Sequence, residues 1–400
     1  MIFKQIFKFL WSGSSVIYKF QRQDIYIGQP QVPAQSTKLY IKYVFELGKE
    51  ESIHKYASPI RLRVWDNPKF HDSATLYGAL IGDVDFSVVN QIFDGDELTL
   101  NDPSKEPLGA RHTVLNLARM ANHAYKRLPS SPWRDMDPGW HVNSTFGWEG
   151  TSVKGYVFAD AAGENLVIAY KGTTFSIVPG GGDSTGHSDK KSDNLMFSCC
   201  CGATNGNWNQ VCSCGRENNV CSEKCLISHA RDNTTYYHGA KLIYDYVREQ
   251  YKAANITLVG HSLGGALASL VAWETGSPAF TFEAPGERLY AERLGLDLTK
   301  KAKILHVGHN ADPIFMGTCK GKLSWCYIGG YAMDSKCHTS VKCLFDAIGS
   351  LGWSETIIHH ISRQSTSVLE RWADRSINID VMCSRTPECN DCSDWTFIDR

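Results

Sequence analysis

Apolar and polar residues alternate along residues 38–45 and 60–65, the period-two pattern of strands with one solvated face. Further on the pattern changes. Residues 111–128 repeat apolar groups at helical spacing, and 236–251 do so again. Between them, residues 166–170 form an uninterrupted apolar run that predicts a buried strand, ending at Lys171-Gly172-Thr173-Thr174. A second such run, 256–259, leads directly into a helix-forming stretch, 266–273. Strands are expected at 279–282 and 304–307, and a helix running to Trp372. Strands and helices thus alternate from about residue 110 to about residue 310, which predicts a mainly parallel, doubly wound α/β sheet. No internal repeat interrupts the pattern.

One stretch fits no element. Residues 176–233 are rich in Gly, Ser, Asn and Cys and far too long for a plain connector, so they read as a lid-like insertion. The expected organisation is a strand-rich region over 21–110, an α/β domain over 111–375 carrying that insertion, and a cysteine-containing tail over 376–400. Residues 1–10 are apolar and basic, but 11–20 carry Ser, Gly and Lys19. A membrane span needs roughly 20 apolar residues. Residues 1–20 therefore predict at most a weak signal anchor or an amphipathic segment on a membrane surface.

Composition narrows the class. The 400 residues are 42% hydrophobic and 21% charged with a net charge of −1, which is ordinary for a globular chain. No basic excess exists to hold a nucleic acid. Cysteine is the unusual count: 14 in all, clustered within 199–225, 319–343 and 383–392. With sequons at Asn143, Asn233 and Asn255, this favours an oxidising lumen and disulfides that staple long loops. Asn255, against a strand, is expected to be the least accessible of the three to a glycan. The rival reading is zinc held by Cys212-x-Cys214, Cys221-x3-Cys225 or Cys389-x2-Cys392. The disulfide reading leads, with no metal site and no cofactor expected.

The turn between the 256–259 strand and its helix reads Gly260-His261-Ser262-Leu263-Gly264. A serine hydroxyl becomes a useful nucleophile only when it stands clear of the sheet, beside a base and near oxyanion donors. A G-x-S-x-G turn between strand and helix supplies that geometry, and its glycines sit where a Cβ would collide with backbone. A base and a carboxylate must follow in chain order. Asp312, in the loop after the 304–307 strand and stiffened by Pro313, is the preferred carboxylate, ahead of Glu283 and Asp297. Among downstream histidines, His306 and His309 precede Asp312 and read as packing groups, and His338 lies among cysteines. The pair His359-His360 remains, with His359 preferred and His360 as the alternative, since one of two neighbours can face the site. Oxyanion donors are expected from the backbone N–H of Leu263 and from Thr173.

Several segments resemble the class 3 (fungal triacylglycerol) lipases. These are Ala169-Tyr-Lys-Gly-Thr-Thr174, the serine elbow, and the Asp-then-His order. The cysteine-flanked segments 192–201, 282–287, 309–317 and 388–395 are more specific. They are similar to the autophagy-related lipase of fungal vacuoles, which breaks down the membranes of autophagic bodies. The resemblance runs from about residue 55 onward. It implies an α/β-hydrolase fold, with Ser262 as nucleophile, Asp312 as acid, His359 as base and Thr173 at the oxyanion position. It implies membrane lipids, phospholipids or triacylglycerols, as substrates at a lumenal membrane surface. It also implies delivery through endosomes and multivesicular bodies to the vacuole as a single-pass type II membrane protein. Leu195, Met196 and Phe197, apolar residues within the insertion, are candidates for a lid over the acyl pocket. The competing readings are a serine esterase for small soluble esters and a non-catalytic, cysteine-rich lumenal binding protein.

Overall fold

The computed structural model describes residues 84, 86–93, 100, 106–127, 139–174, 185–202 and 210–399, together with the backbone of three short strands nearer the N-terminus. The expected strand at 38–45 and most of the 21–110 region lie outside the described residues. Strands β1 (Ile6–Trp11) and β2 (Ser14–Lys19) pair antiparallel as a ribbon. Among the described residues no helix is long and apolar enough to cross a membrane.

A nine-stranded sheet organises the rest. Its remaining strands are β3 (Leu62–Val64), β4 (Trp140–Phe146), β5 (Gly155–Asp160), β6 (Asn165–Tyr170), β9 (Asn255–His261), β10 (Ala279–Phe282), β11 (Ile304–His309), β12 (Val341–Phe345) and β13 (Val381–Arg385). A separate small sheet comprises β7 (Gly215–Arg216), β8 (Val220–Ser222) and β14 (Thr396–Ile398). The large sheet runs in the order β13-β12-β11-β10-β9-β6-β5-β4-β3. Strands β6, β9, β10, β11 and β12 are mutually parallel, and antiparallel strands extend the sheet on both sides.

Parallel strands covered on both faces need apolar side chains on both faces, and β10 and β11 are buried throughout. On one face pack the helices Tyr236–Gln250, Leu263–Thr275 and Arg288–Leu294, through Ile243, Leu267, Leu270 and Tyr290. On the other pack Phe86–Phe93, Ala110–His123 and Ser362–Ala373, through Val89, Val114, Leu117, Leu369 and Trp372. The helix Leu263–Thr275 is apolar on all sides because the sheet and its neighbouring helices enclose it; Leu263 through Ala272 are all buried. This arrangement, helices on both faces of a mostly parallel sheet with a serine turn after a central strand, is an α/β-hydrolase fold.

Seven disulfides use all 14 cysteines. Cys200–Cys221, Cys201–Cys212 and Cys214–Cys225 lie within the cysteine-rich insertion, whose described part contains the helices Gly186–Met196 and Glu223–Ala230. Cys199–Cys392, Cys337–Cys389 and Cys343–Cys383 tie the C-terminal residues to the body of the molecule. The zinc reading of the CxC and CxxC motifs fails because each of those sulfurs is already bonded to another.

The three lid candidates are packed inward. Met196 is 1% exposed and Phe197 0%, both in the main core, and Leu195 packs against it. The Phe197 carbonyl also accepts the N–H groups of Asp334 and Ser335. These residues anchor the insertion from beneath, because the disulfides around them hold its chain against the core. The sequons also differ from expectation. Asn255 is exposed at the start of β9, its amide on Asn165, whereas Asn143 is half-buried in β4 and accepts from the Tyr251 hydroxyl at 3.0 Å.

Candidate active site

Strand β9 ends at His261, and the chain turns sharply at Ser262, which adopts φ 57° and ψ −131°. A non-glycine residue there is strained, and such strain persists only when the surroundings impose it. They do. A Cβ on Gly260 would run into the backbone of Gly264 and Gly265, and one on Gly264 into the Tyr170 carbonyl. The Ser262 N–H donates to the Phe282 carbonyl at 3.0 Å, and its carbonyl accepts from Gly265 and Ala266. Ser262 thus caps the helix Leu263–Thr275, with the Leu263 peptide at its first position.

The histidine that meets Ser262 lies in a 3₁₀ turn, Ile357–His360. His360 Nε2 lies 2.9 Å from Ser262 Oγ, and His360 Nδ1 lies 2.7 Å from Asp312 Oδ2. The preferred base was His359; the structure puts His360 there instead. The His359 ring faces away, with Nδ1 2.8 Å from the Ser354 carbonyl and its plane stacked on Trp353 at 4.3 Å. Successive residues of a 3₁₀ turn point about 120° apart, so one neighbour facing the serine excludes the other.

Asp312 is fully buried. Burial would raise its pKa, but His360, a hydrogen bond with Glu283 and the Ile314 N–H hold it below the usual carboxylate value. Glu283, weighed as a rival carboxylate, sits beside Asp312 rather than in its place. Its pKa is pushed well up, first by burial and then by the Asp312 charge. In its neutral form it donates to Asp312, while its oxygens accept the His309 N–H at 3.2 and 3.3 Å. Asp297 is exposed and bonds its own turn through Thr299. His309 is buried, and burial pulls its pKa down to about 4.

Opposite the elbow runs the loop after β6. Gly172 lies so close that a Cβ there would strike the Tyr125 hydroxyl and the His261 carbonyl and would come within 3.1 Å of Ser262 Cβ. Thr173, one residue on, donates its hydroxyl to Asp193 Oδ2 at 2.7 Å, and the Thr174 N–H donates to Asp189 Oδ2 at 3.0 Å. Both acids lie on the helix Gly186–Met196, so the insertion braces this loop. Burial raises the Asp193 pKa to about 8. Asp189 also takes Lys171 Nζ at 3.3 Å and the Tyr236 hydroxyl at 2.8 Å. Tyr125, whose hydroxyl lies 2.8 Å from His261 Nδ1, escaped the sequence reading because an amphipathic helix end gives no hint of contact with a distant turn.

The fold and this arrangement together define an α/β-hydrolase with a Ser262–His360–Asp312 triad geometry. The comparisons agree with that class. A family profile described as "Tle-like phospholipase domain" matches residues 230–296. The protein named "Putative lipase ATG15" of Candida glabrata is 40% identical over 300 residues, covering 72% of this chain and 58% of the relative. Its namesake in Saccharomyces cerevisiae strain S288c is 40% identical over 298 residues, covering 72% and 56%. Across that span the chain is a homologue of these fungal lipase-named proteins, and it spans little more than half of their length. Among solved structures, the Lip2 lipase of Yarrowia lipolytica is 18% identical over 57% of this chain and 77% of its own, with a TM-score of 0.31. The strand order, not that distant likeness, defines the fold.

Proposed function

We propose that the chain is a serine lipase or phospholipase that hydrolyses acyl esters of membrane lipids. The hydrogen-bonded series Ser262–His360–Asp312 carries this reading. His360 takes the Ser262 proton as Oγ attacks the ester carbonyl. Asp312 holds the imidazole with Nε2 toward the serine and stabilises the imidazolium that forms. The Leu263 N–H, with Thr173 braced by Asp193, receives the charge that develops on the carbonyl oxygen. The alkoxide leaves with the proton from His360, and water then attacks the acyl-enzyme by the same route.

One observation favours lipid over a small soluble ester. Ile358 and Ile361, which flank the His359-His360 pair, are 60% and 55% exposed. Apolar side chains held out to solvent beside a catalytic base suit a surface that meets lipid. The lipase-named relatives support the same direction. Seven disulfides suit an oxidising lumen, and the resemblance to the autophagy-related lipases favours the vacuole, reached through endosomes, with lysis of autophagic bodies as the task. The single-pass anchor draws no support from the described residues.

Fatty-acid release from phospholipid vesicles, beside hydrolysis of a short soluble ester, tests the reading, with Ser262→Ala prepared in parallel. Release from vesicles that vanishes in the variant supports a membrane-lipid hydrolase. Turnover of the soluble ester alone would replace it with the esterase reading, and turnover of neither would favour a binding protein.

A further inference from the structure

Away from the triad, three side chains converge inside the molecule. Glu287 precedes the helix Arg288–Leu294, His306 sits in β11, and His338 follows the disulfide-bonded Cys337. All three are buried, and one potential ligand atom from each lies within 4.8 Å of the others.

Their hydrogen bonds satisfy one side of the cluster and leave two buried polar atoms without a partner. Glu287 Oε1 accepts from Ser269 Oγ at 2.7 Å, from the Thr339 N–H at 3.2 Å and from the Thr339 hydroxyl. Glu287 Oε2 is buried and finds no partner. His338 Nε2 lies 2.9 Å from the Ala284 carbonyl, an acceptor only, so Nε2 carries the proton and Nδ1 a lone pair. That Nδ1 is buried without a hydrogen-bond partner, and the Lys336 backbone lies beside the ring. His306 Nδ1 lies 2.8 Å from Thr281 Oγ1, and its Nε2 3.3 Å from Glu287 Oε1. A buried polar atom left without a partner destabilises the fold, so two in one cluster call for an occupant.

We propose that Glu287 Oε2, His306 Nε2 and His338 Nδ1 bind a divalent transition-metal ion, zinc in the first instance. Two imidazoles and a carboxylate suit zinc, whereas calcium and magnesium prefer oxygen ligands throughout. Zinc bonds of about 2.1 Å at tetrahedral angles set ligand atoms about 3.4 Å apart, so the widest pair would close by up to about 1.4 Å as the ion binds. Ser269 and Thr339 orient the carboxylate, and Thr281 and the Ala284 carbonyl fix the two imidazoles; such partners hold metal ligands in place. The ion would join the segment after β10, β11 and the stapled loop, stiffening the strand that leads to Asp312. The other cluster of metal-ligand residues, Cys212, Cys214, Cys225 and His229, cannot compete through sulfur, because its cysteines are in disulfides.

The test is metal content and thermal stability of the full, disulfide-intact chain. The protein is stripped with chelator, exposed to zinc chloride and desalted. Wild type and His229→Ala are expected to retain one zinc per chain and to melt higher with zinc than without. Glu287→Gln and His338→Asn are expected to retain none and to show no shift. Ser269→Ala keeps all three ligands and guards against misfolded variants; its zinc affinity should fall about 10- to 100-fold. No zinc on wild type, zinc retained by folded Glu287→Gln and His338→Asn, or unchanged affinity in Ser269→Ala would overturn the proposal.

Discussion

His360 Nε2 stands 2.9 Å from Ser262 Oγ, while the adjacent His359 stacks on Trp353 with its ring turned away. Two neighbours of one residue type therefore differ completely in what they can do. His360→Ala is expected to lower kcat by about 10⁴-fold or more, and His359→Ala by less than about 10-fold, on any ester substrate. Steady-state kinetics of the two variants on a soluble ester would show it; the reverse order would mean that the turn rearranges when substrate binds.

The elbow was legible because its signal is local: strand, glycine, serine, glycine and helix lie within a dozen residues. Asp312 was legible from chain order and from its place after a strand. The choice between His359 and His360 was not, because a 3₁₀ turn follows neither the strand period nor the helix period. The α/β alternation from 110 to 310 foretold β6, β9, β10 and β11. It missed β4, whose polar residues His141, Asn143, Ser144 and Thr145 break the apolar run, and β5, whose apolar run 156–159 is only four residues long although both of its faces are buried. Met196 and Phe197 lie in a polar, cysteine-rich stretch, and their burial arises from disulfides and backbone pairing with residues far along the chain. No local pattern carries such information, nor the seven cysteine pairings.

Asp193 holds its proton more tightly in the fold than in the unfolded chain, with a pKa of about 8 caused chiefly by burial. A raised carboxyl pKa contributes stability that is complete below the unfolded value of about 4 and is lost as pH rises through about 8. Asp193→Asn, which keeps an acceptor for Thr173, should melt close to wild type at about pH 4. It should exceed wild type by about 5 °C or more at about pH 8.5. Thermal melts of both proteins across that range provide the check, and a difference that stays constant with pH would refute the assignment.

Phe197 is fully buried in the core, beneath the insertion. Phe197→Ala should cost about 3–5 kcal/mol of stability. Where the variant remains folded, its activity on vesicles and on a soluble ester should fall by the same factor. Chemical denaturation with paired assays tests both parts; a selective loss on vesicles would restore Phe197 to a lid.

Ile358 and Ile361 are exposed beside His360, so they can touch a lipid surface without supporting the core. The double variant Ile358→Ser, Ile361→Ser should keep its turnover of a soluble ester and lose about 10-fold or more on vesicles, given roughly 1.5–3 kcal/mol of lost burial per side chain in lipid. Vesicle co-sedimentation and paired rates would measure it. Equal losses on both substrates would assign these residues to structure alone.

Everything proposed for this site depends on Ser262 being a nucleophile activated by His360. Mass spectrometry after treatment with a fluorophosphonate tests it directly, because this probe reports activation whatever the natural substrate. A single adduct is expected on Ser262 in wild type and in His359→Ala, none in Ser262→Ala, and labelling slowed at least about 100-fold in His360→Ala. An unlabelled wild type, an adduct on another serine, or undiminished labelling of His360→Ala would contradict it.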